Sequence, residues 1–407
     1  MTTETDSLLH RSISPAAAAP MDSDDMLREI LLRLPPLPAS LPRASLVCKR
    51  WRRLLSNPVF LRRFRIHHHR RNPPLLGFFD GHSRSFQPTM ETPDRIPPNC
   101  FSLQLNGRFL NLGCRHGLVL FLDAWRRQVL VCDPVTSDQH RIDVPSGLED
   151  ATKTIVNGEV LLAPGPGDAT QCCLHFHVVL VKVVVAHNNN YAHRQALACV
   201  YSSQTRAWGD VISAPLPPSK NLMVKPAVLI GNSLYWMLAA DQNSIGILEL
   251  DLERQGLATI EVPAPVGRFA SRKNCEFWVM RRKSGGIGLI SVSEADFRVQ
   301  LWKSKRKRKT GCTGPCGGGV DSWKPGRTIQ VDKLLQLNSE EKGNLTMLGL
   351  AENNNVVFLW TVAGLFMVQL DTLQFKKVFG TNISECYPFE SVYTTGAKNC
   401  VLDQEKD

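Results

Sequence analysis

The sequence predicts a small all-α module at the N-terminus followed by an all-β domain, a β-propeller of about six blades with seven as the alternative count. Three observations carry that reading. Helical periodicity is confined to residues 24–64. From Leu75 onward, short β-branched or aromatic runs alternate with Gly, Asn, Asp and Pro turns. Those runs also repeat, weakly, along the chain.

In chain order, residues 1–22 carry acids and polar residues with no continuous apolar run, and read as a disordered arm rather than a secretory signal. The helical module is expected over 23–66. Leu27, Ile30, Leu31 and Leu34 recur at helical spacing and put four aliphatic side chains on one face. Asp24 and Asp25 suit the positive end of that helix, and Pro35-Pro36 stops it. A second helix is expected from about Leu41, with Ser40 as N-cap and Pro42 in the first turn. Its stripe is Leu41, Ala44, Val47, Cys48, Trp51 and Leu55. Ser56-Asn57-Pro58 ends it, and Val59 to Phe64 adds a short third helix. Three short helices bury too little apolar surface to stand alone. They must pack on the rest of the chain or on a partner.

The residues of this module, LREILLRLPP followed by SLVCKRWRRLLSNPVFLRRF, resemble an F-box, the adaptor-binding module of cullin-based ubiquitin ligases. Leu46 to Trp51, with Phe60-Leu61 beyond the Asn57-Pro58 turn, carry most of the likeness. The Leu-Pro that often opens the family's first helix is replaced by Asp25-Met26. The resemblance implies that Leu27, Ile30, Leu31, Leu34, Pro35, Leu41, Ala44, Val47, Cys48, Trp51 and Leu55 form the adaptor surface. Leu31 and Trp51, at mid-stripe, are its expected anchors. Without the resemblance, two other readings stand: a hairpin docked on the second domain, and a helix-turn-helix whose Arg50, Arg52 and Arg53 touch phosphate.

Residues 67–74 read as a basic linker with a solvated His67-His68-His69, and 75–400 as the β domain. Within it a Gly or Asn turn precedes an apolar strand at 114–122, 230–238 and 354–363. A strand ending in Asp or a polar turn and followed by a second strand recurs at 129–145, 198–211, 247–263 and 367–379, with a further copy at 289–302. Asp133 and Asp251 lie 118 positions apart and Asp251 and Asp371 lie 120 apart, each interval containing one further copy. The unit is about 60 residues, a four-stranded meander carrying insertions. One meander cannot bury both its faces, whereas a ring of them can. Five copies are visible, and strands at Leu75–Phe79 and near Val392-Tyr393 are expected to close a sixth. A pair of β-sandwiches is the competing architecture.

The module together with CRHGLVLFLDAWRRQVLVCDPVT and VYSSQTRAWGD resembles the plant F-box proteins with kelch-like associated domains. That resemblance implies a non-catalytic substrate receptor. Its F-box would dock on a SKP-type adaptor and through it a cullin, and its propeller would recruit an unknown protein for ubiquitination. A nucleic-acid-binding protein using the basic helices is the alternative.

Composition is that of a globular protein, 43% hydrophobic and 21% charged. The net charge of +11 comes from two patches: ten Lys/Arg and no acid over 43–71, and six more over 303–309. The remainder is acidic, so a broadly basic surface is excluded. Twelve scattered cysteines suggest free thiols in a reducing compartment, and no run is long enough to span a bilayer. Nucleus and/or cytoplasm is the expected location.

No metal or cofactor is expected. Cys173, His175 and His177 share a strand face without a second cluster, and Cys312 and Cys316 sit in a Gly-rich stretch without partners. Walker A, GxSxG and HExxH patterns are absent, and Gly285-Gly286-Ile287-Gly288 lacks a following helix start. Lys305, Arg306, Lys307 and Arg308 form a candidate nuclear localisation signal inside a basic, Gly-rich insertion over 303–320, with a solvated loop as the other reading. Residues 401–407 are assigned to a tail.

Overall fold

The computed structural model describes residues 23–394 except 70, 102, 104, 106, 149–155, 164–174, 189–190, 241–244, 263–265, 267–274, 307–319 and 379–382. Four helices come first among the described residues. Asp24 and Asp25 form the first turn of α1 (Asp24–Leu31), as their charge favours. The single helix expected from Leu41 to Leu55 is two: α2 (Ser40–Ser45) and α3 (Lys49–Leu55). The break falls at Cys48, which is extended (φ −161°, ψ 168°) and whose Sγ accepts the Trp51 N–H at 3.5 Å, capping α3. Ser40 is the first residue of α2 rather than its cap.

The third expected helix is α4 (Pro58–His69), which starts one residue earlier and ends five residues later than predicted. Asn57 Oδ1 accepts the Val59 N–H at 2.8 Å and starts it. The histidines expected to be a solvated linker complete this helix, with His68 and His69 buried. His68 Nε2 lies 3.0 Å from the Leu32 carbonyl, so the end of α1 holds that ring in place.

Strands follow in six antiparallel sheets among the described residues. The chain first lays down β1 (Leu75–Asp80) and β2 (Phe86–Pro88). Blade 1 is β3 (Phe109–Arg115), β4 (Leu118–Asp123), β5 (Gln128–Asp133) and β6 (Asp138–Asp143). Blade 2 is β7 (Val156–Leu162), β8 (Phe176–Asn188), β9 (Tyr191–Ser202), β10 (Ala207–Trp208) and β11 (Ile212–Leu216). Blade 3 is β12 (Lys220–Leu222), β13 (Val228–Ile230), β14 (Ser233–Ala240), β15 (Ile245–Asp251) and β16 (Gly256–Glu261). Blade 4 is β17 (Cys275–Arg281), β18 (Ile287–Ser293), β19 (Arg298–Arg306) and β20 (Val320–Gln330), followed by α5 (Val331–Leu335). Blade 5 is β21 (Thr346–Ala351), β22 (Val356–Thr361), β23 (Gly364–Gln369) and β24 (Phe375–Val378).

The last strand, β25 (Cys386–Glu390), pairs with β1, so the sixth blade is built from both ends of the domain in the order β2-β1-β25. The closing strand therefore lies just before the expected Val392-Tyr393. Val392 has left the sheet and is fully buried among the helices.

The repeat has a local cause. Asp133 Oδ1 accepts the backbone N–H groups of Val135 and Thr136, and Asp251 Oδ1 those of Glu253 and Arg254. Each such turn closes on a residue with positive φ: Ser137, Gln255, and Leu373 in blade 5, where Gln369 takes the aspartate's place. Between blades, six hydrophobic clusters alternate with the six sheets and complete a ring. β1 and β4 are buried on both faces, as blades stacked on each side require. The structure is thus a helical region followed by a six-bladed β-propeller, which removes both the sandwich and the seven-blade alternatives.

Candidate docking surfaces

The helices form a core of their own. Leu27, Leu31, Leu41, Ala44 and Leu55 are buried there with Leu54, Phe60, Leu61 and Phe64. These five expected adaptor contacts are thus buried in the module's own core. Leu31, an expected anchor, is 0% exposed. Leu34 and Trp51 pack half-buried at the edge of this core, and Ile30, Pro35, Val47 and Cys48 are exposed. The break at Cys48 turns Val47 and Cys48 outward, where one continuous helix would have kept them on the same stripe as the buried Leu41 and Leu55.

The exposed set is what a partner could reach. Of twelve large hydrophobic side chains exposed among the described residues, five belong to this module: Met26, Ile30, Leu46, Val47 and Val59. Leu46 is 74% exposed and Val47 63%. Met26, Leu46 and Val59 were not among the adaptor contacts expected from sequence. Met26 and Ile30 are one helical turn apart on a side of α1 adjoining the buried Leu27 and Leu31, a division that a four-residue apolar pattern does not reveal.

Several basic residues of the module are engaged within the chain. Arg50 and Arg53 pair with Asp24, Arg63 with Glu29, and Arg65 with Asp133. The Arg50 guanidinium beside Asp24 holds that carboxyl below its usual range. Arg50 and Arg53, two residues suited to phosphate, are thus already partnered.

The module also docks on the propeller. Arg65 Nη2 donates to Asp133 Oδ2 at 2.8 Å, with both side chains under 10% exposed. The Ala39 N–H donates to Asp94 Oδ1 at 2.9 Å. His69 Nε2 lies 3.4 Å from Ser391 Oγ, and burial holds the His69 ring well below ordinary histidine basicity. Gly117, at φ +74°, must lack a side chain here: a Cβ would fall 2.5 Å from Ser391 Oγ and 2.9 Å from the His69 ring.

Between α4 and blades 1 and 2 a cavity of about 850 Å³ opens. Leu61, Phe176 and Tyr201 give it apolar walls, and Arg62, Arg141, Arg206 and His140 give it polar ones. At the propeller axis, Arg115 Nε donates to Glu159 at 3.1 Å, Nη1 to Glu352 at 2.9 Å and Nη2 to the Ala227 carbonyl at 2.7 Å. Four blades are tied through this one guanidinium. Burial, partly opposed by Arg115, pushes Glu159 up to about 7. Burial and the Arg115 charge lower His116 to about 3.

The other sequence candidates resolve differently. Lys303 to Arg306 continue strand β19 rather than begin an insertion, and Arg306 pairs with Val320. Of the candidate signal, Lys305 and Arg306 thus sit at a strand end, and Lys307 and Arg308 lie outside the described residues. Cys172, Cys173, Cys312 and Cys316 also lie outside them. Among the described residues no cluster of three or more His, Cys, Asp or Glu is placed to hold a metal, and no helix is long and apolar enough to cross a membrane. Six described cysteines are free, as expected, but Cys100 is disulfide-bonded.

Comparison with known proteins matches these regions to two family models. Residues 23–63 match the F-box domain. Residues 112–394 match "F-box protein AT5G49610-like, beta-propeller". The F-box/kelch-repeat protein At3g61590 of Arabidopsis thaliana is 26% identical over 309 residues, covering 70% of this chain and 71% of that protein. Among solved structures, a luciferin-regenerating enzyme (11% identity, TM-score 0.34, 66% of this chain and 76% of that one) is similar only distantly. So is the WD40 domain of SCAP from fission yeast (9% identity, TM-score 0.28, 72% and 78%). With the helical module, the ring of six blades and the match over most of the chain in agreement, this protein belongs to the family of F-box proteins that carry an AT5G49610-like β-propeller.

Proposed function

We propose that this chain is a non-catalytic substrate receptor of a SKP–cullin–F-box ubiquitin ligase, acting in the nucleus and/or cytoplasm. Its F-box binds a SKP-type adaptor, and its propeller holds a protein for ubiquitination by other subunits. The observation that carries this reading is the exposed apolar set Met26, Ile30, Leu46 and Val47 on a module whose own core is already filled. Such a surface is costly to leave in water and suits a protein partner. The ion pairing of Arg50, Arg53, Arg63 and Arg65 weighs against the nucleic-acid reading.

The test is affinity purification of the tagged chain from cells, probed for adaptor and cullin. Val47→Asp places a charge in the apolar contact and should abolish capture with an unchanged melting temperature, because the side chain is exposed. Leu31→Asp is the wrong probe, since it would disrupt the module core. The reading fails if wild type never captures the adaptor, or if a folded Val47→Asp/Leu46→Asp protein captures it normally.

A further inference from the structure

The cavity between α4 and blades 1 and 2 lies on neither the adaptor-facing apolar set nor the propeller axis. Its charges are not balanced among the described residues. Arg62 on α4, Arg141 on β6 and Arg206 in the turn after β9 all line it, and none of the three has an ion pair among the described residues. A fourth arginine, Arg65, is 5% exposed and spends its Nη2 on Asp133, yet its Nε–H has no acceptor among the described residues. The carboxylates present are Asp133, already held by Arg65, and Asp138, which accepts from Thr136 Oγ1 at 2.8 Å. The wall is therefore an arginine-rich surface with a positive excess.

One side of the cavity is also a strand edge. β6 is the outermost strand of blade 1, and no strand pairs with its outer side among the described residues. Residues 138–141 of β6 are exposed and line the cavity. An unpaired edge offers main-chain donors and acceptors at strand spacing to an extended chain. Leu61, Phe176 and Tyr201 supply apolar contact for alternate side chains. The volume, about 850 Å³, is too large for a single bound ion.

We propose that this cavity is the docking site for an acidic, extended peptide segment of the recruited protein, lying along β6 with its carboxylates facing Arg62, Arg141 and Arg206. The proposal rests on the substrate-receptor reading and gives it a recognition chemistry. Arginine suits carboxylates because its planar fork donates two parallel hydrogen bonds. Recognition is set beside the adaptor module, so the bound segment is held close to the docked helices.

The probe is a fluorescein-labelled ten-residue peptide alternating Glu and Val, titrated into the full chain by fluorescence anisotropy. A Lys/Val peptide of the same pattern and a single-stranded oligonucleotide serve as competitors. Saturable binding of the Glu/Val peptide that weakens as salt is raised is expected. It should fall by at least about tenfold in Arg141→Glu/Arg206→Glu, because like charges then face each other. Those residues lie on blades 1 and 2 and not on the helical module that carries the exposed apolar set, so the same variant should capture adaptor normally and keep its melting temperature. Failure of adaptor capture by wild type would refute the receptor reading whatever the peptide does. Absence of peptide binding, equal binding by the charge-reversed variant, equal competition by the Lys/Val peptide, or displacement only by the oligonucleotide would each overturn this proposal alone.

Discussion

Arg65→Met tests whether the helical module is rigidly part of the propeller. The pair it breaks joins α4 to the β5–β6 turn across 68 residues of sequence, with 6% and 9% of the two side chains exposed. Removing one member of a buried ion pair costs about 3–5 kcal/mol when the other is left uncompensated. Asp133 is not wholly stranded, because its Oδ1 still accepts the Val135 N–H at 2.9 Å and the Thr136 N–H at 3.3 Å. The adjoining cavity also lets water approach Oδ2. A loss of about 2–3 kcal/mol is therefore expected, below the full range. Adding Asp133→Asn should recover about 1–2 kcal/mol of the summed single losses, the signature of a direct contact. Urea unfolding of the four proteins supplies the cycle. Amide exchange should then locate the loosening in α4 and the residues around Ser391. A single mutant within about 0.5 kcal/mol of wild type, or a strictly additive cycle, would refute the claim that this pair fastens the module.

Three further outcomes are expected. Ending the chain after Glu385 deletes β25, removes the buried Phe389 and strips the β1 edge, so it should yield an aggregating product, whereas removing residues 1–22 should be silent; a soluble, cooperatively melting truncation would count against closure by β25. His116 Nδ1 accepts the Leu162 N–H at 3.1 Å and is lowered to about 3, so the unfolded chain binds the extra proton between that value and about 6.5, and stability falls as pH drops through this window. Glu159, raised to about 7, works the other way: its contribution is full below the ordinary glutamate value and is lost as pH rises toward 7. Acidification to pH 5 should accordingly shrink the stability gap between wild type and His116→Asn by about 1–2 kcal/mol, and an unchanged gap would contradict the neutral, accepting ring. Replacing Lys305, Arg306, Lys307 and Arg308 by Ala should move a fluorescent fusion out of the nucleus if they form a localisation signal, and an unaltered distribution retires that assignment.

Local patterns carried the architecture into the sequence. An Asp whose carboxylate caps its own turn, as at Asp133 and Asp251, recurs because blades 1 and 3 reverse at the same point of the meander in the same way. Apolar runs long enough to be buried on both faces, as in Leu118–Asp123, separate a stack of blades from a one-sided sheet. These features were enough to place five blades and to distinguish the helical module from the β domain. The surfaces were less legible. Helical spacing marks which residues are apolar, but the same spacing serves a core and a contact face equally. Leu27 and Leu31 turned inward while Ile30 stayed out, and only the packing of α3 and α4 decided between them.

Chemistry that depends on distant residues meeting was not readable at all. Nothing near Arg115 in sequence announces Glu159 or Glu352, and nothing near Arg65 announces Asp133. The histidines at 67–69 look solvated until Leu32 and Ser391 are folded over them. By itself the sequence determined the helix-then-blades order, the turns and the apolar faces, because these are set by residues within a few positions of one another. Ring closure by β25, the inward half of the F-box stripe and the arginine-lined cavity were decided only in the tertiary structure, because each is made from segments that the chain brings together across tens to hundreds of residues.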